Sequence, residues 1–117
     1  MPKLEDSLSA NAIRKLAITS LVNHGYNLYL GVTVSGLALE DSGQLRTLAI
    51  VRAALTSEDG PVLRVEGTVA EAVASAQLIC VVQPQLGIVW LLSSADLQGK
   101  TFLRLAHAKT LDEQDAH

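Results

Sequence analysis

The chain has 117 residues, nearly half of them apolar, which suits one compact domain with a real core. That core must be built from Leu, Val, Ile and Ala, because Phe, Tyr and Trp make up only 3% of the sequence. The formal charge of −3 lies at the ends, where acids at 5, 6, 112, 113 and 115 face only Lys3 and Lys109, so the near-neutral body argues against general polyanion binding.

Residues 1–8 read as a flexible leader without the apolar run of a secretory signal. Ser9 or Asn11 can cap a helix running to about Asn23, with Ile13, Leu16, Ala17 and Leu21 on one apolar stripe and Gly25 as its terminator. From Tyr26 to Ser35 the period changes to two, as in a strand. Gly36 to Leu39 begins a second strand, and Asp41-Ser42-Gly43-Gln44 has the chemistry of a tight turn. Leu45 to Leu55 continues as a third strand, apolar on both faces near its middle and so predicted to lie centrally.

Thr56 to Pro61 is a polar loop, and Val62 to Val65 is extended or a short strand. Thr68 and Glu71 have capping-box spacing for a short helix ending near Ser75. Strands follow over Leu78–Val82 and Ile88–Leu92, joined by a turn at Pro84 to Gly87. The longest apolar stretch is broken by Gln77 and by Gln83-Pro84-Gln85, which reads as paired strands and not as a membrane span. Ser93 to Asp96 marks a break with one helical turn, and Thr101–Leu105 is a last strand. Beyond about Ala108 the residues are polar and read as frayed. The expected organisation is a leader (1–8), one α/β domain (9–108) and a flexible acidic tail (109–117), of mixed α+β class.

Chemistry is sparse. Cys80 stands alone within Leu78-Ile79-Cys80-Val81-Val82, where a small buried hydrophobe is expected, and its solitude suits a reducing, cytoplasmic setting. His24, His107 and His117 lack metal-ligand spacing, and His24 beside Gly25 is expected to meet the carbonyl end of the first helix. No glycine loop opens a helix after a strand, and no serine sits in a Gly-x-Ser-x-Gly elbow. Trp90, on an apolar strand, is expected in the core or at an interface.

The segment Ser35-Gly36-Leu37-Ala38-Leu39-Glu40-Asp41-Ser42-Gly43-Gln44-Leu45-Arg46-Thr47-Leu48-Ala49-Ile50-Val51-Arg52 is the most informative. With the preceding helix, Gly25-Tyr26, Leu78–Pro84, Ile88–Leu92 and Lys100–Leu105, it resembles the core of the PD-(D/E)XK nuclease superfamily, in its group I intron-associated branch. The resemblance covers roughly residues 9 to 105 and rests on element order and hydrophobic pattern. It implies a restriction-endonuclease-like core. The family's Asp falls at about Gly36, its second acid or amide at Ile50 and its lysine at Arg52; an acid sometimes found on its first helix falls near Ile13 or Arg14. Glycine and isoleucine side chains cannot bind Mg²⁺, and arginine stays protonated where a tunable lysine is needed. Glu40, Asp41 and Glu66 are the acids available for a displaced site, though their setting suggests a solvated turn and a surface pair.

The resemblance therefore implies a degenerate site at Gly36, Ile50 and Arg52, with no catalytic residue, metal or cofactor. The expected role is protein binding or self-association. One alternative is a Mg²⁺-dependent DNA endonuclease or junction binder in which Arg46, Arg52 and Arg104, with Arg14 or Lys15, contact phosphate. Another is a roadblock-like or profilin-like dimerisation module. No membrane association is expected.

Overall fold

The stripe of Ile13, Ala17 and Leu21 is buried along one side of helix α1 (Asn11–Asn23), and Leu16 packs beside it. The computed structural model describes residues 11–30 and 37–115, so Ser9 as a cap and Gly36 lie outside the described residues. Strand β1 (Asn27–Leu30) leads to β2 (Leu37–Asp41) and β3 (Gln44–Arg52). Asp41 pairs with Gln44 across a two-residue turn in which Ser42 and Gly43 have φ of 54° and 83°. Two successive positive φ angles match the right-handed twist of the flanking strands, and glycine accepts the second at little cost.

The third predicted strand divides in two. β3 ends at Arg52, Ala53 turns inward with its amide bonded to the Val82 carbonyl (2.8 Å), and β4 (Ala54–Thr56) begins a different sheet. The run from Leu48 to Leu55 carries no glycine or proline at the bend, so the sequence reads as one strand. β5 (Gly60–Arg64) pairs with β4 on one side and with β8 (Phe102–Arg104) on the other. The extended Val62 region is therefore a central strand of a three-stranded antiparallel sheet.

Helix α2 (Thr68–Ser75) starts without the expected capping box. Gly67 is its N-cap, at φ 58° and ψ −128°, and no side chain caps the helix. The true capping box lies elsewhere. Thr110 Oγ1 accepts from the Glu113 amide (3.2 Å), and Glu113 Oε1 accepts from the Thr110 amide (2.8 Å). It starts α3 (Leu111–Asp115), where the sequence suggested a frayed tail. Leu111 is 2% exposed, so one apolar residue among acids anchors the segment.

β6 (Leu78–Gln83) and β7 (Ile88–Ser93) complete the main sheet, whose order is β1-β2-β3-β6-β7. Only β3 and β6 run parallel among its described pairs, and the path between them carries β4, β5 and α2. α1 packs on one face, over Leu37, Leu39, Leu48, Leu78, Cys80, Val82 and Val89. α2 packs on the other, over Val51, Ile79, Val81 and Trp90, where Leu63 of the second sheet and Leu105 join the same cluster. A 3-10 turn over Ser94–Leu97 provides the predicted break, and no helix among the described residues is long and apolar enough to cross a membrane.

Candidate functional site

Strand β3 carries two of the positions singled out from the sequence. Ile50, half-buried, packs against the α1-side cluster beside its pairing partner Cys80. Arg52 is exposed at the strand's last position. It borders an open cleft of about 370 Å³ lined also by Ala53, Ala54, Leu55, Gln83 and Gln85.

Gln83 organises that cleft. Its Nε2 donates to the Ala53 carbonyl (3.2 Å) and to Gln85 Oε1 (2.7 Å), while its Oε1 accepts from the Leu86 amide (3.0 Å). One buried amide thus joins the bend after β3 to the β6–β7 turn. Nothing in its spacing announced this, because the partners are backbone groups that meet only in the fold.

The three arginines proposed as phosphate contacts do not converge. Arg46 and Arg52 share the α1 side of β3 by alternation, but six residues of strand separate them by about 20 Å. Leu48 and Ile50, which pack in the core, stand between them. Arg46 Nη2 donates to Gln44 Oε1 (3.1 Å). Arg104 lies in the second sheet, where its Nε donates to Asp59 Oδ1 (3.1 Å).

A group missed in the sequence surrounds Arg104. Register places Arg64 directly opposite Phe102, and Arg104 follows Phe102 on the same face. The guanidinium carbons of both arginines lie 6.0 Å from the Phe102 ring centroid, within reach of a cation–π attraction. Phe102 is itself 39% exposed. Only strand pairing brings residue 64 to 102.

Glu40 and Glu66 stand apart from each other, and the side chain of Asp41 lies outside the described residues. Glu40 accepts a hydrogen bond from the Tyr29 hydroxyl (2.7 Å), and this bond, then the carboxylate's charge, raises the Tyr29 pKa. Glu66 is exposed. Among the described residues, no group of three or more His, Cys, Asp or Glu side chains is placed to hold a metal ion. Cys80 is buried, and desolvation pushes its thiol up to about 12, far from a reactive thiolate.

His24 meets the end of α1 as expected, its Nδ1 lying 2.7 Å from the Ser20 carbonyl. Its Nε2 reaches Asp112 Oδ1 of α3 at 2.7 Å. A cleft of about 200 Å³ lies beside this pair, bordered by Gly87, Ile88, Val89 and Thr110.

No family model matches the chain, and no curated protein matches it. Among solved structures, the chain is similar to a bacterial homing endonuclease, I-Ssp6803I, with a TM-score of 0.65 and 9% identity. The match covers 88% of this chain and 75% of that one. The fold is nuclease-like.

Proposed function

We propose that the chain is a non-catalytic nuclease-like scaffold that works by binding, to a second copy of itself or to another protein. Ile50 carries this reading: at the β3 position where the PD-(D/E)XK resemblance calls for an acid or amide, a half-buried apolar side chain packs against the core. The residues present do not fit Mg²⁺, since Ile50 offers no ligand atom and Arg52 offers only a cation. Arg52 would also be a poor proton acceptor, because guanidinium stays charged. The finer kinship with the intron-associated branch belongs to the same proposal and rests on the helix, the Gly25-Tyr26 pair and the meander. A cytoplasmic setting fits a lone buried Cys80. The test is incubation of the full chain with supercoiled, linear and branched DNA in Mg²⁺ or Mn²⁺. We expect no cleavage above that of Arg52→Ala, and metal-dependent cutting that this substitution abolishes would overturn the reading.

A second reading, nucleic-acid binding without cleavage, draws on Arg64, Phe102 and Arg104. Two guanidinium groups beside an exposed ring suit a phosphodiester and a base. Salt-sensitive binding to labelled DNA, weakened by Arg64→Gln with Arg104→Gln, is its expected outcome. Binding that these changes leave untouched would remove its basis.

A further inference from the structure

Side chains alternate across β5 and β8, so the two faces of their sheet differ in character. Leu63 and Leu103, paired in register, point inward and join the cluster on the α2 side. Arg64, Phe102 and Arg104 point the other way and are all exposed. Val62, opposite Arg104, is buried and forms the floor of this outer face.

The three exposed side chains are spaced as a unit. Arg64 lies directly across from Phe102, and Arg104 follows two positions along the same strand, about 7 Å away. Both guanidinium carbons sit 6.0 Å from the ring centroid, at the outer limit of cation–π attraction. The cations are thus kept near the ring without sealing it, and Phe102 remains 39% exposed. Asp59 is the acid that touches this cluster, through Arg104 Nε at 3.1 Å. Its place is set by the hairpin turn, where its amide donates to Thr56 Oγ1 (3.0 Å) and that hydroxyl donates to the Gly60 carbonyl (3.2 Å). Arg104 is largely exposed within the pair, so exchanging this carboxylate for a phosphate costs little.

A pair of cations alone suits any polyanion, an acidic peptide included. The ring narrows the choice, because a carboxylate side chain has no flat face to lay against it. A nucleotide supplies both groups, an anionic phosphate and a planar base. In a duplex each base is covered above and below by its neighbours, so a ring on a sheet surface has none to stack on. An unpaired strand leaves its bases free to splay onto an aromatic side chain.

We propose that the outer face of β5 and β8 binds single-stranded nucleic acid, with one base stacked on Phe102 and the adjoining phosphates held by Arg64 and Arg104. This rests on the second reading above, nucleic-acid binding without cleavage, and adds the form of nucleic acid bound. Neither contact reads the sugar, so DNA and RNA strands are bound alike.

Fluorescence anisotropy tests this on the full chain with a labelled thymidine strand, a uridine strand of equal length, and the thymidine strand annealed to its complement. Phe102→Leu removes the aromatic face and keeps an apolar side chain at an exposed position. The expected result is about tenfold weaker binding of both single strands, with unchanged salt dependence. Arg64→Gln and Arg104→Gln should each weaken binding and lower the logarithmic salt slope by about 0.7, the single-strand value for one phosphate contact. Asp59→Asn should tighten binding, since it removes the competing carboxylate. The duplex should bind more weakly and ignore Phe102→Leu. Duplex binding equal to that of the single strands, or single-strand binding that Phe102→Leu leaves unchanged, overturns the inference while the arginine variants still test the reading beneath it. Displacement by poly-glutamate as readily as by unlabelled strand assigns the face to acidic peptides and also overturns it. Binding of no strand by the unaltered chain overturns both.

Discussion

Gln83 is 1% exposed and spends both ends of its amide on partners that no other side chain supplies, the Ala53 carbonyl and the Leu86 amide among them. Gln83→Leu strands the carbonyl of fully buried Ala53, which costs about 1–3 kcal/mol, and releases the Leu86 amide in the exposed turn. A lower urea midpoint, with the slope unchanged, is the expected outcome. Cys80 gives a pH signature. Burial raises its thiol from 9.0 to about 12. A raised folded-state pKa means the stabilisation is whole below the unfolded value and is lost as the pH climbs through the folded one. Stability should therefore be insensitive to this group below about pH 9 and decline towards pH 12, because the unfolded chain alone can then release the proton. Cys80→Ala should flatten that alkaline decline; an identical decline in the variant would assign it to other groups.

At the scale of elements, the two helix starts show how local chemistry competes with backbone shape. α2 begins from Gly67 at φ 58°, ψ −128°, where Thr68 cannot act as the cap. No atom lies within 4 Å of a Cβ added at Gly67, so Gly67→Ala meets strain in the backbone alone. A loss of about 1–3 kcal/mol is expected, read as a lower thermal midpoint. No change would mean that the turn before α2 relaxes freely. α3 took the capping box instead, and its Thr-x-x-Glu spacing at Thr110 and Glu113 was legible all along. Its polar, acidic surroundings suggest a solvated tail, whereas the burial of Leu111 is a property of the slot that receives it.

For the whole molecule, the cluster on the α2 side binds the two sheets together, since Leu63 of β5, Trp90 of β7 and Leu105 share it. Trp90, the sole tryptophan, is 1% exposed and reports on that junction. Its emission should shift to the red in a single transition that coincides with loss of helix and strand signal, as two sheets around one cluster unfold together. Fluorescence that changes well before the circular dichroism would show the second sheet detaching alone. Shape also governs the basic residues. Alternation along β3 sets Arg46 and Arg52 on one side but far apart, whereas pairing of β5 with β8 gathers Arg64 and Arg104 around Phe102.

Periodicity and turn chemistry determined α1, the β2–β3 turn, the central position of β3, the β6–β7 pair and the burial of Cys80 and Trp90, because each depends on neighbours within a few residues. Tertiary structure decided what those signals could not carry. The division of the third strand at Ala53, the separate sheet of β4, β5 and β8, the Gln83 bridge and the passage of the chain from one face to the other between Ala108 and Leu111 all join residues distant in sequence. Alternation records which side of a strand a residue occupies but not which strand lies beside it, so pairing, and with it every site made of residues from several strands, emerges only when the sheets assemble.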